Sequence, residues 1–357
     1  MIDSFRAKNY GCLKDVQLAL TGFQALIGPN DSGKSTILRA LRTILFRVSG
    51  GTFSGTTTLW TTPFDPGFGP PPWHGAKLTA TSSGGVYQLV AKHAIQETVS
   101  VGPGTVASLV ASSGLGAPLD SERSDNPPKI AKAMESFGTA TLVRLDADAL
   151  RRPSALIPDA TAKQFTDERG AGLPGIYQAI QGLGDDSFST ISERFKALFP
   201  TVKRLGVRAV SEHQLEMEVG LLDGSRVGAR QMSEGMLYYL AFAALPYIQK
   251  VDLLLVEEPE NGLHPSRIAD VAKMLRAFHE ESGTKVLMAT HSPLVVNELE
   301  PEEVIVVTRH PERGTRLTPM PATKDFASRS KVYALGELWL SYANGADEKD
   351  LVGDDGA

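Results

Sequence analysis

Apolar positions along the chain change period several times, and each change predicts an element. Ile2 to Tyr10 and Val16 to Leu20 alternate as strands do, and Gln24 to Ile27 is a short apolar strand running into Gly28. Past Thr36 the spacing becomes helical, with Ile37, Leu41, Ile44, Leu45 and Val48 on one face. The opening is therefore strand, glycine-rich turn, helix. Three β-like runs follow, 77–82, 86–95 and 98–112, and predict an antiparallel sheet. Helical stretches are expected near 127–137, 174–182 and 186–198, with a strand at 140–145. Residues 202–230 return to β around an Asp223-Gly224 hairpin turn. Helix 234–248, strand 252–256, helix 265–280, strand 284–290, helix 292–299 and strand 303–308 then alternate, which predicts a mostly parallel α/β sheet.

The patterning divides the chain into four parts. Residues 1–48 and 201–325 form a discontinuous α/β core. Residues 49–115 form an antiparallel β subdomain with a Gly/Pro-rich irregular loop at 49–75. Residues 116–200 form an inserted, partly helical lobe, and 326–357 a C-terminal helix and an acidic tail. In that helix Leu335, Leu338, Trp339 and Tyr342 make an apolar stripe, expected to pack on the core or to dock an effector. At 357 residues the chain can bury a large core without disulfides. Cys12 is the only cysteine, which excludes an intrachain disulfide and suits a reducing cytoplasm. The start lacks the pattern of a signal peptide, and Tyr238 to Ile248, the longest apolar stretch, falls short of the ~20 residues a membrane helix needs. The expectation is a cytoplasmic protein without a membrane partner. A net charge of -5 provides no global basic field, so any DNA contact must be a local patch. Arg144, Arg151, Arg152, Arg194, Lys196, Lys203, Arg204 and Arg208 are its candidates.

Four segments carry chemistry. GPNDSGKST, Gly28 to Thr36, fits the P-loop pattern G-x-x-x-x-G-K-[ST] between a strand and a helix. Its glycines let backbone N–H groups curl around phosphate oxygens, and the helix points its positive end at the same place. Lys34 is expected on the β- and γ-phosphates, Ser35 on Mg2+ and Thr36 on the α-phosphate. DLLLVEEPENGLHP ends an apolar strand in two acids, Glu257 for the metal and Glu258 to polarise the attacking water; alone, these would read as an acidic loop capping a helix. QMSEGM places Ser233 at a helix N-cap, where a hydroxyl and a glycine make a second anion site. KVLMATHSP puts His291 just after an apolar strand; alone it would read as structural, but beside the acidic strand it reads as an N–H donor to the γ-phosphate. Asp146-Ala-Asp148 has the look of a metal-binding pair, but without a glutamate partner it reads as a turn.

P-loop, Ser-x-Gly signature, acidic strand and histidine, in that order, resemble an ABC-type ATPase head, a P-loop NTPase fold. GPNDSGKST after FRAKNYG, MSEGM, EEPENGLHP and ATHSP are most similar to the RecF-like and overcoming-lysogenization-defect (OLD) branch, over residues 1–48 and 202–308. The resemblance implies two heads sandwiching two ATP molecules with Mg2+. Gly28, Asn30, Ser32, Gly33, Lys34, Ser35 and Thr36 would act in cis, and Ser233 and Gly235 on the partner's nucleotide. It implies Glu257 on the metal, Glu258 as catalytic base and His291 as γ-phosphate sensor. Asn261, Gly262 and Leu263 would face the dimer. Glu257 stands where many ABC proteins have Asp, and the lobe-linking glutamine has no clear counterpart. SMC-like arms do not fit between Lys34 and Ser233, and the residues after 308 are too few for the TOPRIM domain of OLD nucleases.

The expectation is an ATP-hydrolysing, dimerising switch in DNA transactions or anti-phage defence, with its effector on a separate chain. The alternatives are the nucleotide-binding subunit of an ABC transporter and an ATP-sensing scaffold that hydrolyses very slowly. The absence of an Asn-Lys-x-Asp base-reading motif argues against a GTPase.

Overall fold

The computed structural model describes residues 2–48, 77–82, 85–91, 95–101, 105–111, 138–156 and 164–343. The loop expected at 49–75, the helix expected near 127–137 and the acidic tail lie outside them. The chain forms two compact units, Met1–Leu142 with Val251–Leu255 and Lys285–Ala357, and Val143–Lys250 with Val256–Thr284.

The first unit holds two sheets. β1 (Ile2–Tyr10) and β2 (Leu13–Ala19) pair antiparallel with Phe5 opposite Leu18. The second sheet centres on β3 (Phe23–Ile27), whose five residues are all buried. Strands β4 (Lys77–Ser82), β5 (Gly85–Ala91), β6 (Ile95–Val101) and β7 (Thr105–Ala111) extend the first sheet to the order β2-β1-β4-β5-β6-β7. The runs expected at 86–95 and 98–112 are corrected here: the second is two strands, with Val101 opposite Thr105. Gly102-Pro103-Gly104 between them is the overlooked signal, because Pro carries no N–H for a ladder.

In the second sheet β3 runs parallel to β14 (Lys285–Thr290) and to β15 (Val304–His310), and β16 (Gly314–Pro319) closes one edge antiparallel to β15. With β13 (Leu253–Glu257) and β8 (Ala140–Val143) the order is β16-β15-β3-β14-β13-β8, a mostly parallel mixed sheet. The pattern did not predict β16, whose short run of Thr, Arg and Leu has no strict alternation.

Helix α1 (Lys34–Val48) follows the P-loop. Its predicted stripe is buried at Ile37, Leu41, Ile44 and Leu45, but Leu38 and Ala40 are buried as well. The helix packs against β1, β4 and β5 of one sheet and β14 of the other, so two of its faces are covered rather than one. Phe5, Leu13, Leu26, Leu255, Leu287 and Val307 share its core.

The second unit carries α2 (Ala147–Leu150), β9 (Ser154–Ala155), α3 (Leu173–Gly182) and α4 (Ser187–Leu198). A small antiparallel sheet follows, built from β10 (Val202–Ser211), β11 (Gln214–Leu221) and β12 (Arg226–Gly228) with β9 on β11. Gly224, at φ +87°, makes the expected turn. Next come α5 (Glu234–Ala243) and α6 (Pro265–Ser282). α5 stops short of the expected 248 because Pro246 cannot donate to residue 242; a 3-10 turn, Leu245–Tyr247, takes over. Its core joins Leu173, Tyr177, Phe195, Met217 and Leu237, and the Tyr177 hydroxyl donates to Leu240 O at 2.9 Å.

Back in the first unit, α7 is only Pro293–Val296 rather than 292–299, since Glu298 and Leu299 close with 3-10-type bonds to Val295 and Val296. α8 (Phe326–Arg329) and α9 (Leu335–Ala343) complete the described chain. No helix among the described residues is long and apolar enough to cross a membrane.

Candidate functional site

In the first unit the P-loop connects β3 to α1, as the strand-turn-helix pattern predicts. Two of its glycines are required by what lies behind them. A Cβ on Gly28 would land on the main-chain oxygen of Val307 in β15, and Gly33 combines φ +108° with close approach of Thr315 Oγ1 and Cys12 Sγ. Lys34 is 5% exposed, and its Nζ donates to Gly28 O at 2.7 Å, Pro29 O at 2.9 Å and Ser32 Oγ at 3.5 Å. Three acceptors from its own loop thus fix the ammonium inside the turn. Ser32 is buried, Asn30 is exposed, and Ser35 and Thr36 are half-buried in the first turn of α1.

The hairpin β15–β16 braces the loop. Thr315 Oγ1 donates to Ser32 O at 2.8 Å, and Arg309 Nη1 donates to Asp31 O at 3.1 Å and Asp31 Oδ2 at 2.6 Å. Asp31 holds φ +64°, a left-handed conformation for a non-glycine residue. Cys12 Sγ lies 3.5 Å from both Thr36 Oγ1 and Thr315 Oγ1. Sequence reasoning missed Arg309 and Thr315, because neither stands in a motif and β16 was not foreseen. Thr315→Val keeps the shape and deletes the donor to Ser32 O. A net hydrogen bond is about 1 kcal/mol, so ATP should bind about fivefold more weakly. Titration calorimetry giving wild-type affinity would show that the brace does not shape the loop.

His291 follows Thr290, the residue paired with Ile27 in the parallel register of β14 and β3, while Gly28 follows Ile27. The register therefore brings the histidine and the first P-loop glycine to the same end of neighbouring strands. Active groups gather at such strand ends in α/β sheets because the loops there are free to carry them.

The second unit holds the acids and the signature. Glu257 ends β13 and is 6% exposed; its Oε2 has no hydrogen-bond partner among the described residues, and Arg144 Nε stands 3.8 Å away. Arg144, a candidate for a basic patch, stands beside this carboxylate with its side chain half-exposed. Glu258 adopts φ +51°, and Asn261 Nδ2 donates to its Oε2 at 2.6 Å. A left-handed non-glycine residue stores strain, and such strain gathers at functional sites. Asn261, expected from sequence to face a dimer, is here a hydrogen-bond donor to this acid.

Ser233 is the N-cap of α5, exposed, its Oγ accepting from Met236 N at 3.4 Å. A Cβ on Gly235 would come within 3.6 Å of Gly262 O. Gly262, at φ +69°, leaves no room for a Cβ against the Tyr238 ring. The signature helix and the loop after the acids are therefore packed on one another. Burial pushes the Tyr238 phenol above its ordinary value, with the Glu234 and Asp146 carboxylates adding to it. Asp146 caps α2 through Ala149 N and pairs with Arg169 at 2.9 Å. Burial alone would raise its carboxyl, but the bonds from Arg169 and Ala149 N–H outweigh it and hold it below the usual range. Asp148 pairs with Arg151 at 3.1 Å, so each acid of the DxD-like turn has a protein cation.

This order of elements, with the P-loop between β3 and α1, defines a P-loop NTPase fold, and solved structures share it. A crystal structure of an SMC head bound to the C-winged helix domain of ScpA aligns with a TM-score of 0.52 at 16% identity, covering 89% of this chain and 96% of that one. An SMC head with an extended coiled coil from Pyrococcus furiosus, bound to the C-terminal domain of ScpA, aligns at 0.49 and 14%, covering 89% and 95%. Residues 1–66 match a family model described as an AAA ATPase domain. Residues 139–297 match an AAA-domain model whose description ties it to the AbiEii toxin and type IV toxin–antitoxin systems. The chain thus has a P-loop NTPase fold like that of SMC heads, and two of its stretches match AAA-type ATPase domain models. The OLD nuclease of Thermus scotoductus is 44% identical over 45 residues, 13% of this chain and 8% of that protein. The lipoprotein-releasing system ATP-binding protein LolD 2 of Rhodospirillum rubrum is 29% identical over 154 residues, 42% and 63% of the two chains. The chain spans less than two thirds of either relative's length.

Proposed function

We propose that this chain is a Mg2+-dependent ATPase that closes as a homodimer around ATP and reopens after hydrolysis. The dimer would serve as a cytoplasmic switch in DNA transactions or anti-phage defence, with its effector on a separate chain. The observation that carries the reading is the Glu257 carboxylate. A buried acid oxygen without a hydrogen-bond donor is unfavourable by itself, and it is the hard oxygen ligand that Mg2+ takes. Glu257 and Ser35 would hold the ion, which when bound draws off negative charge from the phosphates. The family-model matches and the SMC-head fold support the ATPase reading, and the stretch shared with an OLD nuclease supports the setting.

The chain's own residues divide the work. The loop from Gly28 through Asn30, Ser32 and Gly33 offers backbone N–H groups to phosphate oxygens, Lys34 supplies a positive charge, and Thr36 reaches the α-phosphate. Glu258, held by Asn261, accepts a proton from the attacking water, and His291 donates to the γ-phosphate. Ser233 and Gly235, exposed and half-exposed at the start of α5, close on the partner's nucleotide.

Shared sites are tested by mixing. A Lys34→Ala chain and a Ser233→Arg chain should each be inactive, yet one of the two sites in their heterodimer keeps an intact P-loop facing an intact signature. Partial recovery of phosphate release is the expected outcome. If no activity returns although subunit exchange is confirmed by mass spectrometry, each head acts alone and the dimer reading fails. The similarity to LolD 2 favours a second reading, the nucleotide-binding subunit of an ABC transporter. Stable co-purification with a membrane permease would decide for it.

A further inference from the structure

The C-terminal helix α9 holds the segment that carries His291, and it does so at both ends of that segment. At one end Trp339, 4% exposed, donates its indole N–H to His291 O at 3.3 Å. At the other, Gly336 N donates to Asn297 Oδ1 at 2.7 Å, and a Cβ on Gly336 would land on Pro293 O. Leu338 between them is fully buried. The apolar stripe read from sequence as either a packing or a docking face is therefore packed at Leu338 and Trp339 on the first unit. Within the segment, Ser292 N donates to the buried Thr290 Oγ1 at 3.0 Å, so the turn after β14 is also fixed from inside the strand.

A histidine that must reach a γ-phosphate is only as well placed as its own peptide unit. The carbonyl of His291 belongs to that unit, and the indole N–H is a single directional donor on a rigid ring. We propose that Trp339 is a positioning residue for His291: it aims the imidazole through the main-chain carbonyl, with α9 as its rigid carrier. The proposal rests on the reading of His291 as the γ-phosphate donor. It makes α9 the element through which a change at the C-terminal part of the chain alters turnover without touching the nucleotide.

The test is a double-mutant cycle in the full chain, with phosphate release measured across ATP concentrations. Trp339→Phe keeps a ring in the cavity and removes the donor. It should lower kcat by about three- to tenfold, the size of one net hydrogen bond, with KM for ATP unchanged. In a His291→Ala background the same substitution should have no further effect, because the residue it aims is gone. A purely structural role would lower both backgrounds by the same factor, and that result overturns the proposal, as does wild-type kcat in Trp339→Phe. Where Trp339→Phe fails to fold, judged by its thermal midpoint, Trp339→Met fills the cavity with a flexible apolar side chain that likewise lacks the donor, and it enters the same cycle with the same two outcomes. The single variant His291→Ala separates the two levels of inference. Undiminished turnover there removes the sensor reading and the proposal with it, whereas a loss there with additive effects of Trp339→Phe removes the proposal alone.

Discussion

Lys34→Ala is expected to weaken ATP binding about ten- to hundredfold while the chain stays folded. The ammonium is held by Gly28 O, Pro29 O and Ser32 Oγ, two carbonyls and a hydroxyl that confine it to the turn without neutralising its charge. Hydrogen bonds to charged groups contribute about 1.5–3 kcal/mol each, which converts to that range of affinity for one ammonium–phosphate contact. Replacing the side chain by a methyl group also releases the carbonyls of Gly28 and Pro29 from their donor, so the loop loses preorganisation along with charge. Titration calorimetry with ATP is the measurement, and circular dichroism checks that the variant is folded. An unchanged Kd in a folded Lys34→Ala chain would remove the P-loop from the phosphate site.

The second large effect is on turnover. Glu258→Gln keeps the length and the hydrogen bond from Asn261, whose Nδ2 meets Oε2 at 2.6 Å, but an amide cannot take a proton from water. Loss of a positioned general base lowers rates by about 10² to 10⁴. ATP affinity should remain, because the substitution leaves the P-loop alone, and the variant should accumulate as an ATP-bound dimer visible by size-exclusion chromatography. The conformation strengthens the assignment: at φ +51° Glu258 occupies a backbone region that side chains avoid, and Asn261 N also bonds Glu258 O at 3.0 Å to close the turn. Steady-state turnover within a factor of two of wild type would rule out Glu258 as the base.

Much of the architecture was legible because it rests on local rules. The P-loop is a strand, a turn with fixed glycines and a helix within a short span of chain, so pattern and chemistry coincide there. Ser233 as an N-cap, the burial of Leu253 to Val256 and the placement of His291 after an apolar strand are of the same kind. The errors also had local causes. Pro246 truncates α5, and Gly102-Pro103-Gly104 separates β6 from β7; both were visible as punctuation but were outweighed by the apolar runs around them.

What the tertiary structure alone decided concerns contacts between residues distant in sequence. Gly28 is required because Val307 passes behind it, Thr315 braces Ser32, and Trp339 reaches His291. That Arg144 stands beside Glu257 is likewise set by the fold and not by spacing. By itself the sequence determined the residue types and their spacing along one strand or helix, and the expected contacts to phosphate, metal and water rest on these alone. Which neighbours hold those side chains in place depends on strand order and register. These arise when separate segments bury their apolar faces together, and no periodicity within a single segment encodes them.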